Sequence, residues 1–149
     1  MTGTKLAGLP RRAATVAICV AAAVSVTGAV AAPAWADTVA ASATTDGVSA
    51  GVEDHLYTAV VRDSGGRIYA YGFDVELHDY EATHYVVVTL EERNAAGRWV
   101  VVAQDGSWGM EGAYGTTATH ANDGAFRACT TARVEEGGVQ GATLSVCTA

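Results

Sequence analysis

The chain has 149 residues, half of them hydrophobic, with 16 acidic against nine basic residues and a formal net charge of −7. This length allows one compact domain beyond a targeting segment. The negative charge disfavours nucleic acid and anionic lipid as partners, because their phosphates would be repelled. Basic partners, divalent cations and simple solubility all remain compatible with it.

Residues 1–36 have the organisation of a secretory signal peptide. Positively charged residues precede an almost uncharged, Ala- and Val-rich stretch over residues 13–32. Ala34 and Ala36 then place small side chains at positions −3 and −1 of a cleavage site before Asp37. We therefore predict a secreted, extracellular protein. A membrane anchor is the alternative, because roughly 20 apolar residues can span a bilayer.

Cleavage after residue 36 leaves 113 residues, with six basic against 16 acidic side chains and a net charge of −10. Two cysteines, Cys129 and Cys147, remain in this part. An even cysteine count in a small secreted domain predicts one disulfide. The mature protein is expected to have no membrane association and no nucleic-acid partner.

Residues 37–52 are rich in Ala, Ser, Thr and Gly and show no apolar period, which predicts a flexible linker. From residue 53 the texture changes to short β-branched and aromatic runs separated by Gly, Asp and Asn. No segment sustains the apolar stripe of a helix. Residues 53–149 are therefore predicted to form one all-β domain.

Alternation and turn signals predict seven strands. The turns at residues 63–66 and 94–97 contain the glycines and Asn that tight hairpins need. The glycine-rich span Asp105–Gly115 is interpreted as a long loop. The second strand has Tyr69, Tyr71, Phe73, Val75 and Leu77 on one face. The predicted strands are His55–Arg62, Arg67–Leu77, His84–Glu92, Arg98–Gln104, Tyr114–His120, Ala125–Glu135 and Ala142–Thr148.

The last two strands predict their own register. Apolar residues alternate so that both cysteines lie on the outer face, and Gly137-Gly138-Val139 supplies a hairpin turn between the strands. Such a hairpin places Cys129 opposite Cys147, where the Cα atoms are close enough for a disulfide. The same register places Thr131 opposite Ser145 and Ala132 opposite Leu144.

The stretch Asp123–Cys129 resembles the start of strand F in immunoglobulin and fibronectin type III domains, where an aromatic follows a glycine turn and precedes a cysteine. The hairpin Leu90–Trp99 is similar to a pattern in small secreted actinobacterial proteins, as are the composition and signal peptide. The resemblance implies an immunoglobulin-like β-sandwich of about seven strands. Phe126 lacks the hydroxyl of a tyrosine corner, so an antibody-type domain is not expected.

The sequence contains no H-E-x-x-H or G-x-x-x-x-G-K motif, and its one G-x-S-x-G match, at residues 47–51, lies in the predicted linker and not in the strand-to-helix elbow of a hydrolase. The protein is therefore predicted to be no enzyme, with no catalytic residues and no cofactor. One polar cluster, preceded by Asp74 and Glu76, could bind zinc or calcium, but its spacing matches no strong signature. It is interpreted as a polar loop, with no metal site assigned, and comprises His78, Asp79, Glu81 and His84.

Trp108 lies among glycines and is followed by Tyr114, which makes these two the candidate contact residues for a partner. The alternative is that Trp108 packs into the core at one end of the sandwich. The predicted function is a secreted, non-catalytic binding or structural module whose partner is an unknown extracellular protein or glycan. A small proteinaceous inhibitor of a secreted hydrolase is the alternative, with Asp105–Gly115 as its inhibitory loop.

Overall fold

A computed structural model describes residues 37–78 and 81–149, so the predicted signal peptide lies outside the described residues. The described part is all-β, with nine strands in two antiparallel sheets, which confirms the predicted sandwich with a higher strand count than seven. The strands are β1 (Thr38–Ser49), β2 (Val52–Arg62), β3 (Ile68–Glu76), β4 (Thr83–Arg93), β5 (Trp99–Met110), β6 (Gly112–Thr116), β7 (Phe126–Glu136), β8 (Val139–Gln140) and β9 (Leu144–Cys147).

The four-stranded sheet has the order β1-β2-β3-β6, and the five-stranded sheet has the order β5-β4-β7-β8 with β9 also pairing β7. The chain passes from one sheet to the other between β3 and β4, between β5 and β6, and between β6 and β7. Two of the pairings, β3 with β6 and β4 with β7, therefore join strands that are distant in sequence. In the second of these, Val88 lies opposite Thr130.

The core lies between the two sheets because apolar residues alternate along each inner face. The larger cluster includes Leu56, Ile68, Val86, Val88 and Leu90, all at most 2% exposed. A smaller cluster of Val52, Ala82 and Val134 lies at the end where β3 leads to β4. Polar residues occupy the inner positions between these two clusters.

The segment predicted as a flexible linker forms β1 instead. It pairs with β2 along its length, and Ala50 (φ 53°) and Gly51 (φ 82°) form the two-residue turn between Ser49 and Val52. Its inward residues are small because β1 packs against β9: a Cβ on Gly47 would lie 2.7 Å from Leu144 Cδ2. The absence of large apolar residues therefore reflects close packing and not disorder.

Two predicted hairpin turns are confirmed, and each is held by one side chain. Asp63 Oδ1 accepts hydrogen bonds from the backbone N–H groups of Gly65 and Arg67, and Asn94 Oδ1 accepts them from Ala96 and Arg98. The positive φ angles needed by the two turns fall on glycines, at Gly66 (78°) and Gly97 (74°).

The interpretation of Asp105–Gly115 as a long loop is wrong. β5 continues to Met110 and β6 begins at Gly112, so only Glu111 separates them. Glu111 (φ 66°) and Gly112 (φ 151°) turn the chain from one sheet to the other. The glycines are needed here because a Cβ on Gly112 would lie 2.7 Å from the carbonyl oxygen of Asp74.

The predicted hairpin of β7 with the C-terminal segment is confirmed in register and in its disulfide. Cys129 lies opposite Cys147, with Thr131 opposite Ser145 and Ala132 opposite Leu144. The cysteines are bonded, with their Cα atoms 4.1 Å apart. Gly137 and Gly138 form the turn with φ angles of 56° and 80°. Residues 141–143 interrupt the returning strand, which is why it is divided into β8 and β9.

Candidate functional site

The outer face of the four-stranded sheet carries a continuous group of aromatic side chains. Strand pairing brings them together, since Phe73 of β3 lies opposite Tyr57 of β2 on one side and opposite Tyr114 of β6 on the other. Directly opposed residues of paired strands share a sheet face. We call this surface the aromatic face; it comprises His55, Tyr57, Tyr69, Tyr71, Phe73 and Tyr114.

The aromatic face points outward because small or polar residues occupy the alternate, inward positions of the same strand. Ala70, Gly72 and Asp74 of β3 are buried between the sheets. The aromatic and aliphatic face predicted for this strand is therefore its solvent side. The narrow space between the sheets accounts for this outward direction, because at Gly72 a larger inward side chain would collide with Thr130 of β7.

The rings contact one another across the strands. Tyr57 and Phe73 stack with centroids 5.1 Å apart and planes inclined by 19°. Tyr71 lies against both, at 6.3 Å from Tyr57 and 6.1 Å from Phe73, and His55 lies 6.2 Å from Phe73. Ring pairs at these separations contribute more to stability than the burial of their surface area alone. The contacts hold the rings in a fixed arrangement while leaving part of each exposed.

Two phenol groups of the aromatic face, those of Tyr69 and Tyr71, have raised pKa values, which favours their neutral form. Burial raises the pKa of Tyr69 to about 12, assisted by the hydrogen bond that its hydroxyl donates to Asp37 Oδ2 over 2.9 Å. Burial also raises the pKa of Tyr71, which lies beside Tyr114 and Tyr57. The face therefore offers ring surfaces together with uncharged hydroxyl groups.

The two residues predicted as contact anchors do not share one surface. Tyr114 belongs to the aromatic face and is 64% exposed. Trp108 is 70% exposed, which excludes the alternative that it packs into the core, but it lies opposite Tyr85 in the five-stranded sheet. Since His84 and Val86 on either side of Tyr85 are buried, Tyr85 and Trp108 point away from the core on the other side of the sandwich.

The outer face of the five-stranded sheet is covered differently, by arginines lying over its aromatic rings. The guanidinium of Arg133 lies 5.4 Å from the ring centroid of Tyr85, and that of Arg127 lies 4.7 Å from the ring centroid of Trp99. Arg127 also forms an ion pair with Glu91 at 2.7 Å. This face therefore mixes charge with separate rings, and its described residues form no continuous group of aromatics.

The polar cluster predicted around residues 78–84 divides into two parts. His78 lies at the surface with its Nε2 3.0 Å from Glu53 Oε2, Glu81 is exposed, and Asp79 lies outside the described residues. His84 is instead fully buried and contacts Asp74 and Glu76, the two acidic residues noted upstream. Asp54 of β2 is a further member that the local sequence pattern did not reveal, with its Oδ1 3.5 Å from Nδ1 of the same histidine.

Asp54, Asp74, Glu76 and His84 form what we call the acidic cluster, and its charges shift the pKa values of Asp54 and His84. Burial raises the pKa of Asp54 to about 7, and the nearby Asp74 carboxylate adds to the effect. Burial opposes the charged form of His84, but the hydrogen bond and the charge of Asp74, with the contribution of Glu76, raise the pKa of the imidazole overall. The arrangement can hold a proton or a cation, but it lies too deep for a substrate to reach.

The described residues contain no helix of the length and apolarity that a membrane crossing needs. No protein-family model, curated protein or solved structure matches the chain.

Proposed function

We propose that the chain is a secreted, non-catalytic binding module that contacts an extracellular glycan or protein through the aromatic face. The observation that carries this proposal is the continuous group of partly exposed rings on one side of the four-stranded sheet. Tyrosine and phenylalanine supply large contact areas at a low entropic cost, and tyrosine adds a hydrogen-bonding hydroxyl. Such residues are enriched where proteins bind their partners.

The position of these rings on strands supports a preformed binding surface. Side chains on paired strands are held more precisely than side chains on loops. On the neighbouring strand β1, the outward residues Ser42 and Thr44 are short and exposed, and Thr44 lies opposite Tyr57. A flat or extended partner can therefore approach the rings without displacing a bulky side chain.

Secretion is supported by the signal-peptide pattern of residues 1–36 and by the disulfide, which persists in oxidising compartments. The strand order supports the resemblance to immunoglobulin-like domains. If β3, β4, β6 and β7 correspond to strands B, C, E and F, then B neighbours E in one sheet and C neighbours F in the other, as in those domains. On this correspondence β7 is the strand F that the stretch ending in Cys129 resembles.

The proposal of a non-catalytic module is supported by the position of the acidic cluster. Asp54, Asp74 and His84 are at most 1% exposed, so they cannot meet a substrate without opening the sandwich. The inhibitor alternative required a projecting loop at Asp105–Gly115. That span consists of the end of β5, one turn residue and most of β6, so it lacks the loop on which the alternative depended.

Tyr114→Ala and Trp108→Ala form a matched pair for testing this proposal. Both residues are large, aromatic and well exposed, but they lie on opposite sides of the sandwich. Retention of the purified protein would be measured on insoluble polysaccharides (cellulose, chitin and cell-wall peptidoglycan) and on immobilised proteins from the culture medium. We expect Tyr114→Ala to weaken retention by about 2 kcal/mol, the scale of an aromatic hot spot, and Trp108→Ala to leave it unchanged.

The class of support that retains the protein distinguishes a glycan from a protein partner. Thermal melts of both variants serve as the control for folding, and neither melting temperature should change appreciably, because both side chains are exposed. Loss of retention in Trp108→Ala alone would move the binding surface to the five-stranded sheet. Retention on neither class of support would contradict the proposal of a binding module.

A further inference from the structure

Three buried side chains from three strands meet between the sheets. Asp54 of β2 and Asp74 of β3 extend from the four-stranded sheet, and His84 of β4 extends from the five-stranded sheet toward them. Their exposed fractions are 0%, 1% and 0%. One potential metal-ligand atom from each residue lies within 4.8 Å of the corresponding atoms of the other two. The structure thus brings one imidazole nitrogen and two carboxylate oxygens together in a site closed to solvent.

The described residues supply fewer hydrogen-bond donors than the carboxylate oxygens of this site can accept. His84 Nδ1 lies 2.7 Å from Asp74 Oδ2 and 3.5 Å from Asp54 Oδ1, but an imidazole nitrogen carries at most one hydrogen. Among the described residues, neither oxygen of Asp54 accepts a hydrogen bond, and nor does Oδ1 of Asp74. Buried carboxylates are normally paired or bound to a metal ion. Asp54 is therefore a fully buried carboxylate at the cluster that receives no hydrogen bond from any described residue.

The site also has less positive charge than its carboxylates need for neutrality. Glu76 lies at the other imidazole nitrogen, with Oε2 3.4 Å from His84 Nε2, and is left out of this charge balance. If Asp54 and Asp74 are both ionised, a protonated His84 imidazole balances only one of the two carboxylates. A divalent cation placed among the donor atoms would remove this excess negative charge and would satisfy the oxygens of Asp54 and Asp74 together.

We propose that Asp54, Asp74 and His84 form a structural binding site for one divalent cation of the Zn²⁺ class, with Glu76 as a positioning residue. The mixed set of one imidazole and two carboxylates fits Zn²⁺, which takes nitrogen and oxygen ligands, better than Ca²⁺, which takes six to eight oxygens. The cation would bind at Nδ1 of His84, in place of the hydrogen shared with Asp74. Nε2 would then keep its hydrogen and donate it to Glu76, the arrangement that commonly orients metal-binding histidines.

The location gives this cation a structural role. Asp74 lies near the end of β3 and His84 near the start of β4, so the site spans the point where the chain crosses between the sheets. The small apolar cluster adjoins the site: Val52 is two residues from Asp54, Ala82 is two residues from His84, and Val134 lies opposite His84. A bound cation would link the two sheets at this end. The site is independent of the aromatic face, so either proposal can fail without the other.

Zinc binding can be tested on the purified protein with its disulfide intact. The protein would be unfolded in guanidinium with a chelator, and then refolded with or without Zn²⁺ so that the closed site is accessible during loading. We expect one tightly held equivalent of zinc per chain after gel filtration, measured by elemental analysis. We also expect a rise in melting temperature of several degrees over the metal-free protein.

Asp54→Asn removes one charged ligand while preserving its shape, and it also removes charge repulsion, so the metal-free variant should fold. We expect it to lose the zinc equivalent and the rise in melting temperature. His78→Gln is the matched control, because His78 is an exposed histidine beside a carboxylate, and it should keep both. With Co²⁺ in place of zinc, visible absorption bands should appear in the parent protein and be absent in Asp54→Asn.

Two outcomes would overturn the proposal. The first is a melting temperature that Zn²⁺ and chelator leave unchanged, with no zinc retained after refolding, which would mean that the cluster holds only protons. The second is zinc that remains in Asp54→Asn but is lost in His78→Gln, which would mean adventitious binding at the surface.

Discussion

A Cβ built on Gly72 of β3 would overlap Oγ1 of Thr130 in β7 and would lie 3.0 Å from the Thr130 Cβ. The two sheets are therefore packed so closely at Gly72 and Thr130 that there is no room for an added methyl group. Gly72→Ala should therefore lower the free energy of unfolding by about 2 kcal/mol, as overpacking of a filled core does. Denaturant titration would measure the change.

Gly65→Ala is the matched control for Gly72→Ala, because it adds the same methyl group in an exposed turn and should change stability little. Thr130→Ala should partly rescue Gly72→Ala by removing the overlapping hydroxyl. Equal stability of Gly72→Ala and the parent protein would mean that the sheets can separate without cost at this point.

Ser49→Ala tests whether β1 is an integral part of the sandwich. The Ser49 hydroxyl donates to the carbonyl oxygen of Ala142 over 2.7 Å and accepts from the backbone N–H of Val134 over 3.2 Å. Its removal takes away both hydrogen bonds, of which the one from Val134 is buried, and this should lower the free energy of unfolding by about 2 kcal/mol. Ser42→Ala, at an exposed position of the same strand, is the control and should have no effect. Equal stability of both variants would indicate instead that residues 37–52 form a flexible linker, as the sequence pattern predicts.

The disulfide should contribute about 3 kcal/mol to stability, since it closes a loop of 18 residues. Replacing Cys129 and Cys147 together with alanine should lower the free energy of unfolding by that amount in guanidinium titrations. Reductant should produce a similar loss in the parent protein, because Cys147 is exposed, and no loss in the double variant. Two freely alkylatable thiols in the parent protein would show instead that the bond does not form.

Stability should depend on alkaline pH through Tyr69, whose pKa rises from 10.0 to about 12 on folding. The unfolded chain loses this proton first, so the contribution of Tyr69 is complete below pH 10 and is lost as pH rises toward 12. Tyr69→Phe should remove this part of the pH dependence in urea titrations, and Asp37→Asn should reduce it. An unchanged pH dependence in Tyr69→Phe would contradict the assignment.

The hairpin around the disulfide could be predicted in register because its signals are local. The alternation of β7, the glycine pair in the turn and the two cysteines all lie within residues 126–147 and all require the same pairing. The two turns closed by Asp63 and Asn94 were predictable for the same reason. Each side chain accepts hydrogen bonds from residues two and four positions further along the chain.

β1 and the outward direction of the aromatic face could not be predicted, because both depend on the distance between the sheets. β1 has small inward residues where Leu144 fills the space, and its turn uses Ala50 with a positive φ instead of the usual Asn or Asp. In β3 the aromatics point outward because Gly72 faces Thr130. Asp54 lies 30 residues before His84 in the chain, and no local spacing relates the two.

The separation in sequence between β4 and β7 has a consequence for the rate of folding. Pairings such as Val88 with Thr130 join residues about 40 positions apart, and the pairing of β3 with β6 is also long-range. Folds dominated by such contacts close large loops before they gain stability, and they fold in milliseconds to seconds. The β7–β9 hairpin has a short loop, so it can form earlier. Cys129 and Cys147 can thus be oxidised while the sheets are still assembling, which would preserve one correctly registered pair of strands on which β4 can later add.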